Sequence, residues 1–239
     1  EEEEIESDFA EADSDFSDDS FEDVRDLDIT PGFLMHSMMR EEIKPFFRFE
    51  LFPDLKKLYL RQDSCLYPLG FFVVDGFAAL KKIERLSLDI YSRSPGSINI
   101  FKGLLHLPLL KKFSLSINFI KNEDWILLEQ FFRKQNNLED VSIIVRTESH
   151  KKIRYMQRNT YLESTIKSLE NKPFLKSLQL ESPYWSLEAL SKGFAHLKMA
   201  NQLQTLRIKG SDDTITSDTK AWKRIEGLCN LIKNQKESL

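Results

Sequence analysis

Six times along this 239-residue chain, an apolar residue is followed by two variable residues, a second apolar residue, one variable residue and a third apolar residue. The copies are Leu55-Leu58-Leu60, Ile83-Leu86-Leu88, Leu110-Phe113-Leu115, Leu138-Val141-Ile143, Leu175-Leu178-Leu180 and Leu203-Leu206-Ile208. Their starts lie 28, 27, 28, 37 and 28 residues apart, and a weaker copy, Val24-Leu27-Ile29, begins 31 residues before Leu55. A near-constant period of this length constrains the fold more than any other feature. Each copy is too short to bury its apolar face alone, so neighbouring copies must stack and share one core.

The alternation inside a copy fits one β-strand, with the second and third apolar residues on one face and the variable residues on the other. Between copies the spacing turns helical. Asn122 is placed to cap a helix that has Glu123 and Asp124 in its first turn and Trp125, Leu128, Phe131 and Phe132 as an apolar stripe. Ser186 precedes Leu187, Leu190, Phe194 and Leu197 at helical spacing, and Ser217 and Asp218 precede Trp222, Ile225, Leu228, Cys229 and Ile232. Gly70, Gly76, Gly96 and Gly103 read as turns between units. His106 and His196, set in apolar text, read as core or boundary residues.

A strand, a loop and a helix in about 28 residues resembles the leucine-rich-repeat family, in particular its ribonuclease-inhibitor-like members. The copy from Leu110 carries the resemblance furthest, with Asn118 and Ile120 where the family's asparagine and following aliphatic residue fall. At the asparagine position the other copies have Asp63, Tyr91, Arg146, Pro183 and Ser211, which argues against a regular asparagine ladder. The resemblance implies an α/β leucine-rich-repeat solenoid, a horseshoe with a parallel concave sheet and convex helices, over residues 24–239 in about seven repeats. Lys236-Glu237-Ser238-Leu239 reads as the opening of another strand, so a piece of a longer chain is expected.

Charge divides the chain unevenly. Residues 1–23 hold 13 of the 38 acidic residues and no Lys or Arg, leaving 34 basic against 25 acidic residues in the other 216, a surplus of +9. Such a segment is expected to be a disordered acidic tail. Its Phe9, Phe16 and Phe21 alternate with acids, a composition that resembles activation domains and the acidic segments of histone chaperones. Ser20 with Asp23 resembles an acidophilic-kinase site. Cys65 and Cys229 are far apart and lack metal-ligand spacing, so neither a disulfide framework, a metal nor a cofactor is expected. No run approaches the roughly 18 apolar residues of a membrane span, and the acidic start is unlike a signal peptide. The expectation is a soluble cytoplasmic or nuclear protein without a membrane partner.

The strand assignment fixes which side chains lie on the open face. They are Lys57, Tyr59 and Arg61; Arg85, Ser87 and Asp89; Lys112, Ser114 and Ser116; Asp140, Ser142 and Ile144; Ser177, Gln179 and Glu181; and Thr205, Arg207 and Lys209. Mixed charge of this kind suits a protein partner better than a nucleic-acid backbone, which favours a continuous positive stripe. The longer spacing after Leu138 leaves about nine extra residues, and near them His150, Lys151, Lys152, Arg154 and Arg158 make a basic loop around Ile153, Tyr155 and Met156. Inserted loops in repeat proteins often sit at binding faces.

Chemistry leaves little trace. There is no GxSxG, HExxH, phosphate loop or GxGxxG, and the four histidines fall in separate repeats, so no catalytic residues are assigned. The leading expectation is a non-catalytic protein-binding scaffold or adaptor, a monomeric solenoid within a larger hetero-complex. The alternatives are a histone-chaperone-like regulator that binds basic clients through residues 1–23, and a GTPase-activating protein similar to the leucine-rich-repeat activator of the nuclear-transport GTPase. A ubiquitin-ligase adaptor would need an F-box, for which residues 33–51 are too short.

Overall fold

Each sequence copy becomes one strand of a single sheet: β1 (Asp26–Ile29), β2 (Lys57–Arg61), β3 (Arg85–Ile90), β4 (Lys112–Ile117), β5 (Asp140–Val145), β6 (Ser177–Glu181) and β7 (Thr205–Lys209). The computed structural model describes residues 25–29, 49–61, 76–90, 97–118, 120, 122–146, 155–182, 185, 187–195, 197, 203–209 and 229. Spatial order equals chain order, and all six pairings are parallel. The fold is therefore α/β with a seven-stranded parallel sheet, an order compatible with a stacked solenoid.

Register follows the sequence copies. Leu27, Leu58, Leu86, Phe113, Val141, Leu178 and Leu206 line up across the strands, and two residues on so do Ile29, Leu60, Leu88, Leu115, Ile143, Leu180 and Ile208. The weak copy at Val24 thus supplies a real first strand. A backbone motif repeats with the same period: the carbonyls of Arg25, Lys56, Glu84, Lys111, Glu139 and Lys176 each accept two N–H groups from the start of the next strand, at 2.7–3.1 Å. The neighbouring repeat satisfies the polar backbone at each strand entrance.

Helices cover one face. They are α1 (Ser97–Leu104), α2 (Asn122–Lys134), α3 (Tyr155–Ser168) and α4 (Leu187–Phe194), each packed on the next; a 3-10 turn spans Phe49–Leu51 and residues 76–79 are helical. In α2 the expected stripe is buried: Trp125, Leu128, Phe131 and Phe132 face the sheet, and the Phe131 and Phe132 rings lie 4.9 and 5.6 Å from Phe113. Each such side chain contributes roughly 1.5–3 kcal/mol by leaving water. In α4, Leu190 and Phe194 are buried, with Leu197 just beyond. Of the expected C-terminal helix only Cys229 is described; it is helical and half-buried.

Three residues before the first apolar residue of each copy lies a slot that changes character along the stack. It holds Phe52, Leu80 and Leu107, then Gln135 and Lys172. Gln135 is fully buried; its Oε1 accepts from Leu110 N at 2.7 Å and its Nε2 donates to Pro108 O at 3.1 Å. Lys172 is 7% exposed and donates to Arg133 O at 3.2 Å and Asn136 Oδ1 at 3.1 Å. Burial pushes the Lys172 ammonium below its ordinary pKa, and the negative end of α2 offsets part of that cost. Both side chains reach back one repeat and tie it to the next.

Several expectations need correction. Gly76 and Gly103 are buried in helical segments, not turns. His106 is exposed just after α1. Arg158, with Tyr155 and Met156, belongs to α3 and not to a loop: the stretch from Tyr155 lacks Gly and Pro, and Leu162, Ile166 and Leu169 recur at helical spacing and are buried. The extra length after Leu138 is therefore shared out. Nine residues separate β5 from α3, where four separate β4 from α2, and eight separate α3 from β6, where five separate α2 from β5.

Candidate functional site

The face of the sheet opposite the helices carries the variable residues of every copy, and parallel register sorts them into three rows. The first is Asp26, Lys57, Arg85, Lys112, Asp140, Ser177 and Thr205; the second is Asp28, Tyr59, Ser87, Ser114, Ser142, Gln179 and Arg207. The third is Arg61, Asp89, Ser116, Ile144, Glu181 and Lys209. None of these residues is buried, so all the open-face positions expected from the sequence do share one surface. Asp26 and Asp28, from the weak first copy, join them.

The first two rows line a depression of about 580 Å³ that runs over β1 to β6. Small residues make its floor. Ser87, Ser114 and Ser142 stand side by side with Tyr59 and Gln179 at the ends, and the three serine hydroxyls and the tyrosine hydroxyl have no hydrogen-bond partner among the described residues. They are free to donate to or accept from an arriving molecule. Among the described residues no histidine or carboxylate is hydrogen-bonded to these hydroxyls.

The two edges of the face differ. Along the third row, the charges of Arg61, Asp89 and Glu181 are engaged within the chain. Asp89 takes a forked contact from Arg146 at 2.9 and 3.0 Å and lies 3.9 Å from Arg61, while Glu181 accepts from Arg207 at 2.8 Å and Gln179 at 2.9 Å. Arg146 reaches Asp89 across β4, closing that edge. Along the first row, Lys57 pairs with Asp26 at 2.6 Å and Lys112 with Asp140, whereas Arg85 has no ion pair or hydrogen bond among the described residues.

Just outside the first row runs a ladder that sequence reasoning missed. Lys56, Glu84, Lys111, Glu139 and Lys176 each follow the first apolar residue of their copy and alternate in sign. Lys111 pairs with Glu84 at 2.9 Å and Lys176 with Glu139 at 3.0 Å. The hydrogen bond from Lys111 holds the Glu84 carboxyl below its ordinary pKa, and one from Lys82 does the same for Asp54. Aligning the copies would have exposed the alternation.

His150, Lys151, Lys152 and Arg154 of the expected basic loop, and Phe9, Phe16 and Phe21 of the acidic tail, lie outside the described residues. Among the described residues no cluster of His, Cys, Asp and Glu is placed to hold a metal ion, and no helix is long and apolar enough to cross a membrane. Comparison with protein-family models and with curated proteins returns no match.

Proposed function

We propose that this chain is a leucine-rich-repeat solenoid that acts as a non-catalytic scaffold or adaptor, holding a protein partner against the open face of its sheet within a larger intracellular assembly. One observation carries the reading: the hollow across β1 to β6 is lined by the variable positions of the first two rows, with Leu27, Leu58, Leu86, Phe113 and Val141 between them, while the side chains of Leu58, Leu86, Phe113, Val141 and Leu178 are buried in the core. A stacked sheet fixes those side chains before a partner arrives, so binding costs little ordering. Mixed charge around a floor of hydroxyls fits a polar protein surface.

Affinity capture from native extract tests this with the full chain and a Tyr59→Ala, Arg85→Ala, Gln179→Ala variant. A partner held by the wild type and lost by the triple variant, yet kept by an Ile126→Ser control on the exposed side of α2, is the expected result. Equal capture by all three proteins would remove the open face from the function.

A further inference from the structure

The first row of the open face reads, strand by strand, Asp26, Lys57, Arg85, Lys112, Asp140: negative, three positive, negative. Neighbouring strands are about 4.8 Å apart, so the three cations fall within about 10 Å and the whole row spans about 19 Å. Lys57 pairs outward with Asp26 and Lys112 pairs outward with Asp140, away from the centre. Arg85 stands between them with no ion pair or hydrogen bond among the described residues and only a longer-range attraction to Glu84, whose carboxylate is hydrogen-bonded by Lys111; it lies beside the unengaged hydroxyls of Tyr59, Ser87 and Ser114 on the adjacent row. Its guanidinium presents five donors in a planar fork that matches a carboxylate.

From this row we infer that the hollow takes an extended protein segment whose paired acidic side chains are flanked by basic ones, its carboxylates meeting Arg85 and its flanking cations meeting Asp26 and Asp140. The inference rests on the scaffold reading and names the partner's chemistry. In an extended segment alternate side chains share one face and repeat at about 6.7 Å, so residues i, i+2, i+4 and i+6 span about 20 Å. The sequence Lys-Ser-Glu-Ser-Glu-Ser-Lys therefore places two acids over the three cations and one lysine over each terminal aspartate. A nucleic acid would set phosphates against Asp26, Asp28 and Asp140, and a phosphorylated side chain would bring a second negative charge into the same enclosure. Residues 1–23 of this chain have no Lys or Arg and so lack the flanking cations.

The test is fluorescence anisotropy of that labelled heptapeptide with the full chain. Its control is Glu-Ser-Lys-Ser-Lys-Ser-Glu, which has the same composition and the reverse charge order. The wild type is expected to bind the first peptide at least about fivefold more tightly than the second, with the preference shrinking as salt rises. Arg85→Glu, a change at an exposed position, is expected to weaken the first peptide about tenfold or more. Exchanging a pair as Lys112→Asp with Asp140→Lys keeps the ion pair but breaks the charge order, and is expected to erase the preference.

Equal affinity for the two peptides, indifference to Arg85→Glu, or tighter binding when the glutamates are replaced by phosphoserines would each overturn the inference. A natural partner captured through Tyr59 and Gln179 but indifferent to Arg85→Glu would also overturn it while leaving the scaffold reading in place. Loss of all dependence on the open face would sink both.

Discussion

On the covered face of the sheet, Leu58, Leu86, Phe113, Val141 and Leu178 stand in register and are each at most 2% exposed; one residue away on the open face, Tyr59, Ser87, Ser114, Ser142 and Gln179 stand in register and none is buried. The same strands make both rows. Volume and the exclusion of water restrict the first to apolar side chains that interlock with the helices. Nothing inside the molecule restricts the second in that way, so its residues are open to selection by a partner. The contrast separates what stabilises the fold from what is available for function.

The largest break in this contrast is expected at Phe113, which packs on Phe131 and Phe132. Phe113→Ala is expected to cost about 3–5 kcal/mol, read from urea denaturation, because the cavity lies where sheet and helix meet. At Gly193 in α4 an added Cβ would stand 2.6 Å from Ile166 Cδ1 and 3.0 Å from its Cβ. Gly193→Ala is therefore expected to force α3 and α4 apart and to cost about 1–3 kcal/mol in the same experiment.

A comparable loss is expected from Gln135→Ala, about 1–3 kcal/mol, since the buried Leu110 N–H and the Pro108 carbonyl lose their partner. On the open face, Ser114→Ala is expected to leave stability within about 0.5 kcal/mol of the wild type. A large loss there would mean that the open row is also structural.

The smallest effect belongs to the charged edge. Lys82 and Lys111 hold the Asp54 and Glu84 carboxyls below their ordinary pKa values, so the contribution of these pairs is full above the unfolded carboxylate range near about pH 4. It is lost as pH falls through the lower folded values. The melting temperature measured from pH 6 to pH 3 is expected to drop less for a Lys82→Met, Lys111→Met variant than for the wild type, and added salt should narrow the gap.

The covered face was legible in the sequence because burial leaves a periodic mark: the spacing of the copies placed all seven strands, and the Trp125 to Phe132 stripe placed α2. Membership of the open face was legible for the same reason, as the complement of the buried set. Its electrostatics were not. Arg146 meets Asp89 from 57 residues away, and no local pattern signals such a pair. Arg158 was misplaced because charge alone argued for a loop, while the helical spacing of Leu162, Ile166 and Leu169 begins only after it. Gln135 and Lys172 look like surface residues, and only stacking reveals that each fills a buried slot.

Lysine-directed cross-linking mass spectrometry on the native complex tests the central claim most directly, because the two faces carry their own internal controls. Lys57 and Lys112 lie on the rim of the hollow, while Lys102 and Lys167 are exposed in the helix layer. Partner cross-links concentrated at Lys57 and Lys112, and reduced when Arg85 and Gln179 are replaced by alanine, are the predicted result. Cross-links concentrated at Lys102 and Lys167, or capture that depends only on residues 1–23, would contradict a scaffold that works through the open face of its sheet.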